Sequence, residues 1–210
     1  FVEDIAIAYG YENFEEEIPK VATIAKENKF EDFKNKIANI LVGLNLLEVH
    51  TYNITSAELQ NNKMNCNLEL IELANSLSQE YNVLRASVIP SLIQILENNK
   101  HHEYPQNIFG FGRVFTKDKT KETGINENDN LAVVLCDTNI TFTNMKQILD
   151  ALTSALGLEY QLERSKDDSF IEGRCAKIKI NKKDVGVFGE INPQVLNNFK
   201  LEIPLVALEI

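Results

Sequence analysis

Hydrophobic residues recur every three or four positions in parts of the chain, which predicts amphipathic helices. The clearest case covers residues 30–46, where one helical face carries Phe30, Phe33, Ile37, Ile40, Leu41 and Leu44. A second helix is predicted from Pro90 to about Asn99, because proline suits the first turn of a helix. In both, the apolar face predicts packing against a core.

Other helices are indicated mainly by residues at their ends. Residues 1–11 predict a helix that stops at a glycine. A helix capped by Thr141 or Thr143 is predicted to end at Gly157. Asn192 is predicted to cap a last helix, because a proline follows it in the first turn.

Alternating or continuous apolar runs between these helices predict strands. After the first long helix, Leu47, Val49 and Thr51 lie on one side of an alternating segment. Two later runs flank Asn181-Lys182-Lys183-Asp184, which predicts a hairpin. The predicted strands cover residues 47–54, 68–73, 108–115, 131–137, 158–165, 175–180, 185–191 and 205–210.

The remaining stretches are interpreted as connections. Residues 12–25 have no clean period and contain a proline, so they predict either a linker or a short strand. Residues 117–130 are rich in charge and predict a hairpin loop. Strands joined by hairpins, with helices inserted between them, are most simply arranged as an antiparallel sheet flanked by helices. The predicted fold class is therefore α+β.

Gly110 and Gly112 lie inside the predicted strand 108–115. A glycine there predicts either a bulge or the close approach of a neighbouring element. The letters GFGR around them are not a phosphate-binding or dinucleotide fingerprint, because no helix and no further glycines follow.

Charge and cysteine content narrow the possible functions. The net charge of −10 argues against nucleic-acid binding as the main role, because phosphate recognition needs a basic surface. The lysines around 177–183 are interpreted as a solvated hairpin edge rather than an RNA contact. The three cysteines form no CxxC pair, so they indicate neither a zinc ribbon nor a disulfide framework, and a reduced, cytoplasmic compartment fits best.

No nucleophile, metal-protease or phosphate-loop motif occurs in the sequence. Glu190 follows a glycine near a strand end, where it could be a catalytic acid, an edge carboxylate or a partner of Arg174. Arginine occurs only four times, at positions 85, 113, 164 and 174. Because a lysine-rich chain keeps arginine where bidentate donation matters, these four are candidates for buried salt bridges or interface contacts. His50 is isolated, which favours a structural role over catalysis or metal binding.

Several segments, taken in order, resemble the β subunit of phenylalanyl-tRNA synthetase. The segment ANSLSQEYNVLRASVIPSLIQIL is similar to the family's NPLS-E-Y-VLR-SL-PGLL pattern, and FGFGRVF is similar to its FEIGRVF. EDIAIAYGYENF, GLNLLEVHTYNIT, FIEGRCAKI and the closing GVFGEINPQVLNNFKLEIPLVALEI complete the resemblance. The lysine- and asparagine-rich composition favours the archaeal or eukaryotic type. Gly110 replaces the glutamate of the family pattern, so any contact through that acid is lost or made elsewhere.

The resemblance implies a class II aminoacyl-tRNA synthetase-like fold, an antiparallel sheet flanked by helices. It implies residues 1–20 as the end of a preceding small Mg²⁺-binding domain with a linker, and residues 21–210 as a catalytic-like module. It also implies a catalytic α subunit as partner in an α2β2 heterotetramer, which uses ATP to attach phenylalanine to tRNA(Phe). In such an assembly the β module is a degenerate copy of the catalytic domain.

The closing strand tests that degeneracy. A competent class II site uses an arginine on a central strand for the α-phosphate and a second arginine after a glycine-rich strand, to offset charge on pyrophosphate. At the second position this chain has only apolar residues and one acid: Leu205, Val206, Ala207, Leu208, Glu209 and Ile210. We therefore predict a packed core without catalytic or nucleotide-binding residues in this chain.

The resemblance also implies a Mg²⁺ site in the small domain, with Glu3 and Asp4 at the positions of its acidic pair. Carboxylate oxygens suit a hard cation. The other ligands are expected to precede Phe1, so the site is expected to be incomplete here. Equally, two acids at this point could simply favour the start of a helix.

Three functions are considered from the sequence, one of them a free-standing interaction domain. The favoured one is a non-catalytic scaffold in the β subunit of phenylalanine–tRNA ligase, inactive alone, with residues 30–54 contributing to the contact with α. The alternative is an autonomous adenylate-forming ligase of the same fold that acts on another small carboxylic acid. Phe109–Arg113 and Glu190 are the only residues that favour this alternative.

Overall fold

The computed structural model describes residues 1–20, 25–76 and 78–210 of the chain. The chain divides into two compact units, Phe1–Asp32 and Phe33–Ile210. Residues 21–24, within the segment predicted as a linker or short strand, lie outside the described residues, as does Leu77. Residues 14–20 of that segment form no helix or strand.

The smaller unit contains helix α1 (Val2–Tyr9) and a single 3₁₀ turn over Tyr11–Asn13. Helix α1 ends where the sequence predicts, because Gly10 has a φ of +94°, which few other residues adopt readily. The Tyr9 and Phe14 rings lie 5.1 Å apart. None of the residues of α1 is buried.

The larger unit is built on a seven-stranded sheet, and its described residues also form a second, three-stranded sheet. The strands are β1 (Leu47–Glu48), β2 (Ile54–Thr55), β3 (Ile71–Glu72), β4 (Val83–Leu84), β5 (Gln106–Lys117), β6 (Ile125–Cys136), β7 (Gln161–Arg164), β8 (Phe170–Ile180), β9 (Lys183–Ile191) and β10 (Leu205–Glu209). The large sheet has the order β1-β5-β6-β10-β9-β8-β7, and the small sheet has the order β2-β4-β3. In the large sheet only β1 pairs in parallel, so the predicted antiparallel sheet is confirmed.

Helices cover both faces of this sheet. They are α2 (Lys29–Gly43), α3 (Ile89–Asn99), α4 (Phe142–Leu156) and α5 (Pro193–Asn198). One face packs Ala132, Val134 and Ala207 against α3 and α5, and the other packs Val133, Val206 and Leu208 against α2 and α4. Since successive side chains of a strand point to opposite faces, central strands that are apolar on both sides bury two cores.

Most predicted helix ends are confirmed. Thr141 caps α4 through a capping box with Asn144, and Gly157 ends it in the left-handed conformation with a φ of +67°. Asn192 caps α5 by accepting a hydrogen bond from the backbone N–H of Gln194 at 2.9 Å. The physical signals at these ends are local, which is why the sequence alone locates them.

Close approach, and not a bulge, explains the two glycines of β5. A Cβ on Gly110 would lie 2.6 Å from the backbone oxygen of Val49, and one on Gly112 would lie 2.3 Å from Nη2 of Arg85. The register between β5 and β6 is continuous through both positions. Bare backbone at these two places lets the segment after β1 and the Arg85 side chain pack directly on the strand.

Several strand predictions are wrong in extent. The strand predicted over 68–73 is reduced to β3, and of the strand predicted over 47–54 only β1 and the first residue of β2 are found. Conversely, β6 begins at Ile125, inside the predicted loop 117–130. A loop was predicted there because the segment is rich in charge. In the structure the charges of Arg113, Glu127 and Asp129 form ion pairs between the two strands, on an exposed arm of the β5–β6 hairpin.

We expect Gly110→Ala to lower the free energy of unfolding by about 1–3 kcal/mol, because its methyl group would overlap a backbone oxygen that cannot swing aside. Urea unfolding followed by circular dichroism measures this. Gly43→Ala is the matched control, since nothing lies within 4 Å of a Cβ there and alanine favours the helix. Equal stability of Gly110→Ala and the wild type would contradict the close-approach explanation.

Candidate functional site

A cavity of about 280 Å³ remains over the face of the sheet that carries α3. Its walls include Asn130 of β6, Gly186 of β9, Glu209 of β10 and Ser169. The charged residues that line it are Asp167 and Glu209, and neither lysine nor arginine is among the described residues of its walls. The cavity therefore carries negative charge only.

The carboxylate of Glu209 is buried and saturated with hydrogen bonds from this chain. The hydroxyl of Ser87 donates to Oε2 at 2.6 Å, and the side-chain amide of Asn130 donates to Oε1 at 2.9 Å. The backbone N–H of Val88 donates at 3.0 and 3.1 Å to the two oxygens, and that of Ile89 donates at 3.2 Å. Both oxygens are thus occupied by internal donors, so Glu209 is not available to a ligand.

Helix α3 needs this acceptor because of its own sequence. The first N–H groups of a helix lack partners within the helix, and Val88 at its start has no side chain that could accept them. A carboxylate at this end also interacts favourably with the helix dipole. Glu209 supplies both effects from a strand far away in the sequence, and so fixes α3 to β10.

Arg85 lies next to this contact and is also buried, with 1% of its surface exposed. It donates to the backbone oxygen of Arg113 at 2.8 Å, to Oγ1 of Thr51 at 2.7 Å and to Oδ1 of Asn53 at 2.7 Å. These acceptors are neutral. Burial lowers the pKa of the Arg85 guanidinium, and the Glu209 and Asp129 carboxylates act in the opposite direction. Its hydrogen bonds hold the segment after β1 against β5.

Arg113, Arg164 and Arg174 do not reach the cavity walls. Arg113 is exposed and paired with Asp129 at 3.1 Å and Glu127 at 3.3 Å. Those pairs account for the raised pKa of its guanidinium. Arg174 pairs with Glu190, which confirms one of the interpretations left open for that acid. Arg85 does not form a buried salt bridge, which was one of the two roles predicted for the arginines.

Glu190 also has a structural task. Its Oε1 accepts a hydrogen bond from the backbone N–H of Phe142, the first residue of α4, at 2.9 Å. It therefore acts on α4 as Glu209 acts on α3: a carboxylate on a central strand accepts from the start of a helix. Neither acid is left free for proton transfer.

The closing strand β10 is buried at every position from Leu205 to Glu209. It pairs with β6 on one side and β9 on the other, in the middle of the large sheet. This confirms the predicted packed core. The cavity beside this strand is lined by Asp167 and Glu209, and the described residues of its walls include no lysine or arginine.

Sequence reasoning missed the roles of Glu209 and Ser87. One signal was present: the helix at Pro90 begins after Ala86-Ser87-Val88-Ile89, with no capping residue directly before it. A lone acid in an apolar closing strand was the complementary signal. Pairing the uncapped helix with this acid requires knowing that β10 passes under the start of α3, and only the tertiary structure shows that.

A second, larger cleft of about 660 Å³ opens at the β1 edge of the sheet. Its walls come from the end of α2, from β1, from the end of α3 and from the beginning of β5. Val42 and Leu47 line it with 55% and 67% of their surfaces exposed. Asn107 also lines it, and the buried Oδ1 of this residue has no hydrogen-bond donor among the described residues.

The predicted metal ligands Glu3 and Asp4 lie in the first turn of α1 and are exposed. Asp4 lies 3.5 Å from the amino group of Phe1. Within the part of the chain that the structure describes, no three His, Cys, Asp or Glu residues cluster closely enough to hold a metal ion. Two neighbouring carboxylates fit a Mg²⁺ ion that keeps several waters, but they do not form a complete protein site.

The cysteines are free, and burial raises the pKa of the Cys136 thiol to about 12 and that of Cys175 to about 11. Both are core residues, as predicted for Cys136, and thiols with such pKa values are poor nucleophiles. Among the described helices, none is long and apolar enough to cross a membrane.

Comparison with solved structures defines the class of fold. Pyrrolysyl-tRNA synthetase from Desulfitobacterium hafniense superposes with a TM-score of 0.71 at 17% identity, over 87% of this chain and 66% of that one. A second structure of this synthetase gives the same TM-score at 15% identity. The fold is that of a class II aminoacyl-tRNA synthetase, as predicted.

The particular family follows from the sequence comparisons. Residues 14–210 match the family model described as the phenylalanyl tRNA synthetase beta chain CLM domain. The phenylalanine–tRNA ligase beta subunits of Pyrococcus horikoshii and Thermococcus sibiricus are 47% and 42% identical over 210 residues, and that of Methanococcus aeolicus is 37% identical over 214. This chain belongs to the phenylalanyl-tRNA synthetase beta-chain family. It spans about 38% of the length of the Pyrococcus and Thermococcus sibiricus relatives.

We expect Glu209→Gln to lower the free energy of unfolding by about 2–3 kcal/mol. The amide replaces one acceptor oxygen by an N–H₂ donor, which would then face the N–H and hydroxyl donors that now bind the carboxylate. Chemical unfolding of the variant measures the loss. Glu202→Gln, at an exposed position near β10, is the control and should change little. A loss no larger than that of the control would mean that Glu209 does not secure α3.

Proposed function

We propose that this chain is a non-catalytic, synthetase-like module of the β subunit of phenylalanine–tRNA ligase, which packs against a catalytic α subunit. In this proposal the α2β2 enzyme works in the cytoplasm and uses ATP to attach phenylalanine to tRNA(Phe). The free thiols suit a reducing compartment. The observation that carries the scaffold role is the filled face of the sheet, whose remaining cavity is lined by Asp167 and Glu209, with no lysine or arginine among its described residues.

The same observation argues against an autonomous adenylate-forming ligase. Such an enzyme has to stabilise the negative charge of the transferred α-phosphate and of pyrophosphate. Arg113 is exposed and paired with Glu127 and Asp129, and Arg85 donates to acceptors within the chain. Glu190, the acid that favoured the alternative, is paired with Arg174 and with the start of α4.

The cleft at the β1 edge supports a scaffold role. Val42 and Leu47 place apolar surface in it, and within the part of the chain that the structure describes β1 pairs with β5 alone. The unpaired Oδ1 of Asn107 needs a donor that the described chain does not supply. A protein partner seated here would cover the apolar side chains and could satisfy that oxygen. We propose that the α subunit binds here.

We also propose that Glu3 and Asp4 contribute two oxygen ligands to a Mg²⁺ ion, with the remaining ligands coming from water and from other parts of the β subunit. Their exposure leaves both carboxylates accessible to such an ion. They would hold the ion in place without taking part in the ligase reaction.

We expect Leu47→Glu to weaken co-purification of the tagged chain with the α subunit roughly a hundredfold or more, because a carboxylate buried without a partner costs several kcal/mol. The thermal stability of the chain itself should stay near that of the wild type, since Leu47 is largely exposed. Pull-down after co-expression with the α subunit of the same organism gives the readout.

Leu162→Glu, on β7 at the opposite edge of the sheet, is the matched control and should leave co-purification unchanged. Retention of the α subunit by Leu47→Glu at the wild-type level would refute this docking position. Loss of the α subunit in both variants would show that the effect is not specific to the β1 edge.

A further inference from the structure

A groove of about 360 Å³ lies beside α3, between the segment that follows β1 and the residues that precede β4. It adjoins the β1-edge cleft, with which it shares Ile95. Tyr52 and Tyr81 line it, and Gln94 and Asn98 of α3 contribute side-chain amides. Neither the class II fold nor the proposed scaffold role requires this groove, so it calls for an explanation of its own.

The walls of the groove are unusually poor in charge for this protein. Charged residues make up 25% of the chain, but of the thirteen described residues that line the groove only Glu80 is an acid, only His50 is a histidine, and none is a lysine or arginine. Tyrosine, serine, threonine and amide side chains dominate instead. Depletion of Lys and Glu together with enrichment of Tyr is the compositional mark of a protein-binding surface, and short polar side chains adapt their hydrogen bonds to a partner.

The two tyrosines are arranged to receive a cation. Their rings lie 6.4 Å apart, edge to face at 88°, and 80% of Tyr52 and 50% of Tyr81 remain exposed. An exposed tyrosine face attracts a guanidinium or ammonium group through its ring electrons. Glu80, next to Tyr81 along the chain, also lines the groove and adds a negative charge to it.

The charge of the walls also decides between classes of partner. A nucleic acid would present phosphates, and the groove offers no lysine or arginine to bind them. A protein segment can present its backbone to the amides of Gln94 and Asn98 while a basic side chain meets the acid and the rings. Arginine fits better than lysine, because its planar guanidinium stacks on aromatic faces.

We propose that this groove is a docking site for an extended segment of a partner protein, with an arginine side chain bound by Tyr52, Tyr81 and Glu80. The catalytic subunit is not needed for the site to form, because all of its residues belong to this chain. The test therefore uses this chain alone, and its outcome is separate from that of the co-purification experiment.

The experiment follows the tyrosine ring signals of the chain by NMR during titration with the peptide N-acetyl-Gly-Arg-Gly-amide. We expect the signals of Tyr52 and Tyr81 to shift and saturate. Tyr52→Ala and Glu80→Gln should each weaken the affinity roughly two- to fivefold, as loss of an exposed cation–π contact or ion pair does. Tyr11→Ala removes an exposed tyrosine elsewhere and should leave the affinity unchanged.

Two reference probes complete the test. N-acetyl-Gly-Gln-Gly-amide should bind more weakly than the arginine peptide, and a uridine tetranucleotide should leave both rings unshifted. Absence of any shift with the arginine peptide, equal binding of the glutamine peptide, or preferential binding of the oligonucleotide would each overturn the proposal.

Discussion

Glu209 accepts hydrogen bonds from the beginning of α3, and this contact joins the central strand of the sheet to the helix that covers one of its faces. A buried carboxylate is tolerated only when donors surround it, and here two backbone N–H groups, a hydroxyl and an amide do so. Once α3 is fixed there, the residues around it pack down on β5, β6 and β10. The sheet then has a core on both faces.

The arginines show the same use of polar groups for structure. Arg85 donates hydrogen bonds to Thr51, Asn53 and the backbone of Arg113. Its side chain also lies against the backbone of Gly112. Arg174 and Glu190 tie β8 and β9 to the beginning of α4. Both arginines thus bind partners within the chain.

Local signals in the sequence were enough for much of the fold. Glycines at positions 10 and 157 and the caps at Thr141 and Asn192 give the helix ends, because their chemistry acts within one turn. The glycines of β5 indicated close approach, but which groups approach them could not be read, since Val49 and Arg85 come from elsewhere in the chain. For the same reason the sequence alone did not reveal the structural role of Glu209. Its partners, Ser87 and Val88, are more than a hundred residues away in sequence, and only the folded sheet brings them together.

We propose that the cavity over the sheet does not hold a polyphosphate, because Asp167 and Glu209 line it and no lysine or arginine is among the described residues of its walls. Isothermal titration calorimetry of the chain with ATP and Mg²⁺ tests this directly, at concentrations up to roughly the millimolar range in which enzymes bind their substrates. We expect heat no greater than that of dilution. Saturable one-to-one binding of ATP would contradict it.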